Sequence, residues 1–374
     1  MAWRGATQRT LARAVSFSGV ALHCGKQSLA VVHPAPNDSG IVFRCSTSGF
    51  SIPATWEHVV PSALCTTLAR GEMSVATVEH LMAGIYACGI HNATIEVKMT
   101  RSATAGGSSG SACPATVAAH AKHLELPILD GSAAPFVHEL MRAGLTLQSA
   151  PLSYYEVLRP VRVVTTSGAS ASLCPLPPSP PPRTTTAVPP AAAAAVVPTR
   201  AAYPAPTLEL SVETDFSSRR AALGRRVCTA TLGPSVPSTV FALDVAPART
   251  FAFAEDIDAL RSRGLALGGS LENAVVFGAA NGAAAVNTPD AVVERKPGVI
   301  VLNEEGLRYA DEWSRHKLLD SIGDLALAGA PIHGLFHGVR GGHASHHALL
   351  VELFRCDDDN GGAVRRVVAS ATDI

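Results

Sequence analysis

Charge is scarce in this 374-residue chain: Asp, Glu, Lys and Arg make up 16% of it, and 30 basic residues balance 30 acidic ones. With no basic stripe and no acidic tail, the composition excludes an electrostatic nucleic-acid binder and a solvating arm. Paired cysteines are missing too. Eight occur (Cys24, Cys45, Cys65, Cys88, Cys113, Cys174, Cys228 and Cys356), and none forms a C-x-x-C spacing. A chain long enough to bury real cores does not need disulfide staples, so reduced thiols in a reducing compartment are expected. Any metal site should then be built from histidine and carboxylate. Long apolar runs are also absent. The longest, Val188 to Val197, contains Pro189 and Pro190 and is too short to span a membrane. Met1 to Gln8 carries no apolar core like that of a signal peptide. What remains is a globular composition, 47% hydrophobic with much of that alanine.

Strand and helix signals are mixed without strict alternation, which points to the α+β class. Ser28 to Val32 and Gly40 to Phe43 read as strands around a turn-rich Pro34 to Ser39. Thr77 is placed to cap a helix that runs to Cys88 and stops at Gly89. Ala93 to Val97 reads as a strand. Ala134 to Ala143 reads as a helix ended by Gly144. A second half opens with strands at Tyr155 to Leu158 and Val161 to Val164. It resumes at Leu208 to Thr214 and continues through a helix at Glu255 to Arg263. A strand at Ile332 to Phe336 and a helix near His346 to Leu353 close it, and the tail after Asp357 reads as weakly ordered. The expected division is 1–150 and 151–374. Low-complexity stretches at about 101–120 and 175–206 read as insertions.

The segment Arg308 to Leu327 has the pattern of an amphipathic helix. Leu318, Ile322 and Leu325 form an apolar stripe, while His316, Asp320 and Asp324 recur at i, i+4, i+8 on a second face. An imidazole and a carboxylate one turn apart can grip one metal ion, although a solvated polar face shows the same spacing. Glu79 and His80 pair a carboxylate with a second candidate ligand, as hydrolytic metal sites require. His343 follows Gly341 and Gly342 on an expected loop beyond a strand, free to face a cleft. His80, His316 and Asp320 together make two nitrogens and one oxygen with a fourth position open, the ligand count of a catalytic zinc. Asp324 is placed to hydrogen-bond His343.

The chain also carries longer motifs: Gln8-Arg-Thr-Leu11, Gly19-Val-Ala-Leu-His-Cys-Gly-Lys26, Ser74-Val-Ala-Thr-Val-Glu-His-Leu81 and Gly89-Ile-His-Asn92. They continue with Pro127 to Phe136, Ala248-Arg-Thr-Phe-Ala-Phe253, Leu260 to Ser270, and Leu302 to Asp324. In these, from about residue 8 to 350, it resembles the UDP-3-O-acyl-N-acetylglucosamine deacetylases, zinc amidases of lipid A biosynthesis. The resemblance implies two similar layered α+β domains with zinc between them. It implies His80, His316 and Asp320 as zinc ligands, Glu79 as general base, and His343 as general acid with Asp324 as its partner. Thr250 would stabilise the oxyanion and Lys317 would contact the substrate. Phe251, Phe253, Leu265 and Gly269 would belong to an insert forming an acyl-chain passage. Cys65 and His23 would sit near the site, and Asp215 and Phe216 would lie on the nucleotide side. The implied partner is a UDP-linked acylated amino sugar. The chain would be a monomer, cytoplasmic or an organelle copy, with no nucleic acid and no stable membrane insertion. Two departures from the family pattern stand out: Ser217-Ser218 follow the Asp-Phe pair, and His346 stands at the Asn position of Gly-His-x-x-Asn. They leave open a zinc amidase of drifted sugar-nucleotide specificity, or a catalytically silent relative that binds lipid or nucleotide.

Overall fold

The computed structural model describes residues 7–45, 49–100, 122–177, 206–234, 236–279, 299–355 and 362–369. The expected insertion at 101–120 lies outside them, as does 178–205 of the second. Helices are α1 (Glu79–Cys88), α2 (Ala134–Ala143), α3 (Ser238–Asp244), α4 (Ala254–Ser262), α5 (Glu312–Leu325) and α6 (His343–Leu353). Several sheets and these six helices, mixed rather than alternating, make the class α+β, as the sequence suggested.

In the first half, a five-stranded sheet runs in spatial order Val15–Val20, Gln27–Pro34, Ala93–Thr100, Ile41–Cys45, Ser51–Pro53. The period-2 pattern of Val15–Val20 puts Val15 and Phe17 inward and Ser16 and Ser18 outward. A four-stranded sheet orders Lys122–Glu125, Met73–Ala76, Thr67–Arg70 and Val59–Val60. In the second half, a seven-stranded sheet centres on Ile332–Val339, flanked by Ser170–Cys174 (antiparallel) and Leu208–Asp215 (parallel). A smaller sheet of Phe251–Phe253, Val275–Ala279 and Val299–Val301 carries α4. Thr7–Leu11 pairs antiparallel with Leu145–Pro151, tying the chain start to its middle.

Helices α1 and α5 pack on each other at the centre. Leu81, Met82 and Ile85 of α1 share one core with Leu318, Leu319, Ile322 and Leu325 of α5. The approach is close because α5 carries Gly323 where it crosses the first turn of α1. A Cβ there would stand 2.0 Å from the Glu79 carbonyl oxygen. Both helices are buried nearly all round, which explains the largely apolar sequence of α1 and obliges every polar group of α5 to find a partner.

Three expectations change, and one alternative falls away. Thr77 does not cap α1: it sits at φ 59, its hydroxyl donates to Glu125 (3.2 Å), and Val78 takes the cap position. The left-handed stop at Gly89 stands, at φ 66. The i, i+4, i+8 face of α5 is not solvated, since His316, Asp320 and Asp324 are all buried. His343 is the first residue of α6 rather than a loop residue, because the Ser345 hydroxyl accepts the Gly342 N–H (3.0 Å) and starts the helix there. The tail holds a strand, Val364–Val368, paired antiparallel with Ser153–Val157; its partner is some 200 positions away and local pattern cannot show it.

Candidate metal centre and active-site cavity

The first turn of α1 delivers Glu79 and His80, and α5 delivers His316, Asp320 and Asp324. Imidazole Nε2 atoms of His316 and His80 lie 3.4 and 3.7 Å from Asp320 Oδ1, and the two rings stand perpendicular with centroids 4.9 Å apart. The His316 Nδ1–H donates to the Ala248 carbonyl (3.0 Å), which leaves its Nε2 lone pair free. His80 Nδ1 is buried and makes no hydrogen bond among the described residues. An ion held tetrahedrally about 2.0–2.2 Å from each donor keeps the donors roughly 3.3 Å apart. The His80–His316–Asp320 group therefore has the spacing to hold a metal ion. Asp324, His343 and His346 form a second His/Asp group, but His343 Nδ1 and His346 Nδ1 lie only 2.8 and 2.7 Å from Asp324 Oδ2. Those are direct hydrogen bonds and leave no room for an ion between the donors.

Burial and neighbouring charge set the electrostatics. Burial pushes His80 down to about 3 and also lowers His316, so both imidazoles are neutral, as ligation requires. Burial would raise Asp320, but Lys317 and His316 hold it well below the usual carboxylate range; Lys317 Nζ is 2.9 Å from its Oδ2. Glu79 is raised well above an ordinary carboxyl by burial, only partly offset by His343, whose Nε2 is 3.8 Å from Oε1. Burial works against the charged form of His343, yet Asp324 and Glu79 outweigh it and push the imidazole up to about 10.

Thr66 joins these groups. Its N–H donates to Glu79 Oε2 (3.0 Å), and its hydroxyl donates to Asp324 Oδ1. Sequence reasoning missed it, because a threonine inside a strand-and-loop segment offers no spacing signal. It also left His346 without a role.

All these groups except Thr66, Asp324 and His346 line one cavity of about 690 Å³. Its lining includes Glu79, His80, His316, Lys317, Asp320 and His343, together with Thr250 and His23. Its apolar lining includes Ile257, Leu260, Leu271, Val276 and Leu302. Phe216, Phe251, Phe253 and Gly269 also line it. A smaller cavity of about 200 Å³, around Tyr86 and Asn92, contains none of the chemistry.

The insert that forms the apolar wall is firmly anchored. The buried Arg249 donates through N and Nε to Glu312 Oε1 (3.0 and 2.8 Å) and through Nη2 to the Gly306 carbonyl (2.7 Å). The far end is clasped by Leu267 N–H to the His23 carbonyl (3.1 Å) and Gly268 N–H to the Leu22 carbonyl (2.9 Å).

Not every expected site residue reaches the cavity. Leu265 is half-buried and does not line it; Leu260 and Ile257, on the inner side of α4, do. Asp215 is exposed at a strand end, where its carboxylate accepts the Ser217 N–H (3.0 Å) and hydroxyl (2.6 Å). Cys65 is buried beside Ser62 and Thr67 and does not line the cavity. Burial would raise its thiol, but His23 beside it holds it at about 7.

A profile described as UDP-3-O-acyl N-acetylglycosamine deacetylase matches residues 8–188 and 191–355. The chain belongs to this family. It is 35% identical over 353 residues to the UDP-3-O-acyl-N-acetylglucosamine deacetylase of Geobacter sp. (strain M21), covering 94% of this chain and 90% of that one. The protein of the same description from Anaeromyxobacter dehalogenans (strain 2CP-C) is 36% identical, covering 92% and 87%. The matched span takes in every candidate ligand, the Glu79 and His343 pair, and α4. Among the described residues, no helix is long and apolar enough to cross a membrane.

Proposed function

We propose that the chain is a zinc-dependent amidohydrolase that removes the N-acetyl group from UDP-3-O-acyl-N-acetylglucosamine in lipid A biosynthesis. The observation that carries the reading is one cavity lined both by a His80–His316–Asp320 ligand set with Glu79 and His343 and by the apolar side chains Ile257, Leu260, Leu271, Val276 and Leu302. Zinc bound by those three residues would acidify a water and polarise the amide carbonyl. Glu79, fixed by the Thr66 N–H, faces the ligand set and is the general base that takes the water's proton. His343 is held through Nδ1 by Asp324 and points Nε2 toward Glu79, so it is the general acid that protonates the leaving amine. Its pKa of about 10 supports this role, because the ring carries its proton at neutral pH.

Thr250, which lines the same cavity, donates its hydroxyl to the developing oxyanion. Lys317 neutralises Asp320 and presents its ammonium to the substrate. Ile257 and Leu260 receive the acyl chain, with Phe251, Phe253 and Gly269 completing that wall. Phe216 and His23, which line the same cavity, contact the rest of the substrate. The two layered units divide near residue 150, and the protein acts as a cytoplasmic monomer. Acetate release from the UDP-linked substrate, lost on chelation and restored by zinc, tests the reading. Turnover that survives complete removal of metal would overturn it.

A further inference from the structure

Asp324 is not reserved for His343. His346, one turn further along α6, is fully buried and lies against Phe336, with ring centroids 5.7 Å apart. Its Nδ1 is 2.7 Å from Asp324 Oδ2, the same oxygen that accepts the His343 Nδ1–H at 2.8 Å. The Thr66 hydroxyl occupies Oδ1, and the far nitrogen of His346 is 3.3 Å from the Ser321 hydroxyl on α5. A carboxylate accepts only, so both imidazoles present Nδ1–H to it. Three donors on two oxygens fix the rotation of the carboxylate. With His346 removed, Oδ2 would keep one donor, and that donor is the ring whose aim matters.

We propose that His346 is a positioning residue: by sharing Asp324 Oδ2 it locks the carboxylate that aims His343 into the cavity. This rests on the reading of His343 as the acid. A residue that only filled space beneath α6 would make a different forecast, and substitution separates the two. His346→Leu keeps most of the volume without a donor. His346→Asn places an amide N–H close to the position of Nδ1.

In the zinc-loaded full chain, His346→Leu should lower kcat by about 10- to 100-fold, with KM and metal content unchanged, and His346→Asn should recover most of the loss. Proton NMR gives a readout independent of substrate. The native chain should show two low-field imidazole N–H signals assignable to His343 and His346, and His346→Leu should keep one, displaced. Native kcat in His346→Leu, or an asparagine variant as slow as the leucine one, would overturn the proposal. Should His346→Leu not fold, His346→Gln replaces it; its amide lies one methylene too far, so it should be slower than His346→Asn, and equal rates would overturn the proposal. A native chain with both signals that releases no acetate sinks the hydrolase reading. One that releases acetate with a single signal sinks this one.

Discussion

Replacing Gly323 by alanine should damage the enzyme although helix propensity favours the change. Alanine in a helix interior is better than glycine by about 1 kcal/mol, so on local grounds Gly323→Ala would stabilise α5. The packing opposes it. The added Cβ would lie 2.0 Å from the Glu79 carbonyl oxygen, 2.7 Å from its carbonyl carbon and 2.9 Å from its Cα. All three are backbone atoms of the turn that carries Glu79 and His80, so no side chain can swing away. Relief requires α1 and α5 to separate by roughly 1 Å, at an overpacking cost of about 1–3 kcal/mol. The same shift pulls Glu79 and His80 away from His316 and Asp320, and a misplacement of about 1 Å can cost roughly 100-fold in rate. Gly84→Ala serves as the control. Its nearest contacts are side-chain atoms, Val137 Cγ2 at 3.2 Å and Leu140 Cδ1 at 3.5 Å, which can yield. Thermal melting, metal content and kcat/KM should separate the two variants, with only Gly323→Ala losing metal affinity and activity. A Gly323→Ala protein with native melting temperature and native kcat/KM would refute the claim that this contact sets the site.

Other outcomes follow from the same geometry. Glu79→Gln should keep its metal and lose roughly 100- to 10,000-fold in kcat, since an amide cannot take the proton; near-native turnover would move the base elsewhere. Leu260→Glu puts a charge on the apolar wall from a half-buried helix position, so it should spare melting temperature and metal content. Lost contact with two or three methylenes, about 2 kcal/mol, should lower kcat/KM on acylated substrate at least tenfold, and an unfolded variant would make Leu260 a packing residue. Burial pushes His91 down to about 3, and its Nδ1 accepts the Arg9 N–H at 2.9 Å. The unfolded chain binds that proton below pH about 6.5 and the folded chain does not, so the contribution of His91 is complete above that pH and lost as pH falls toward 3. Urea unfolding at pH 7 and pH 5 should show a shallower acid loss in His91→Gln than in the native chain, by at most about 1.4 kcal/mol per pH unit; equal slopes would contradict this.

Much of the scaffold was legible because its signals are local. The Ala134–Ala143 helix with its Gly144 stop and the Val161–Val164 strand stand where the pattern put them. The spacing of His316, Asp320 and Asp324 predicted one shared face. Whether that face meets water or another helix depends on Gly323 and α1, more than 200 residues away, and no helical period encodes it. Val364–Val368 reads as a weak tail because only its partner strand, with Arg365 paired to Glu156, gives it a place. Thr66 escaped notice for the same reason: its role lies in whom it touches. Of the residues assigned to the insert, Phe251, Phe253 and Gly269 line the cavity and Leu265 does not, since it follows the end of α4 while Leu260 and Ile257 within the helix reach the cavity.

The central claim is that this cavity hydrolyses the N-acetyl amide with zinc held by His80, His316 and Asp320. The most direct measurement follows acetate and free amine together, from UDP-3-O-acyl-N-acetylglucosamine, with metal-free protein titrated by zinc. The account predicts equal amounts of both products, rising to a plateau at one zinc per chain in the native protein and absent at that ratio in His316→Ala. Folded, zinc-loaded native protein that releases neither product would contradict it.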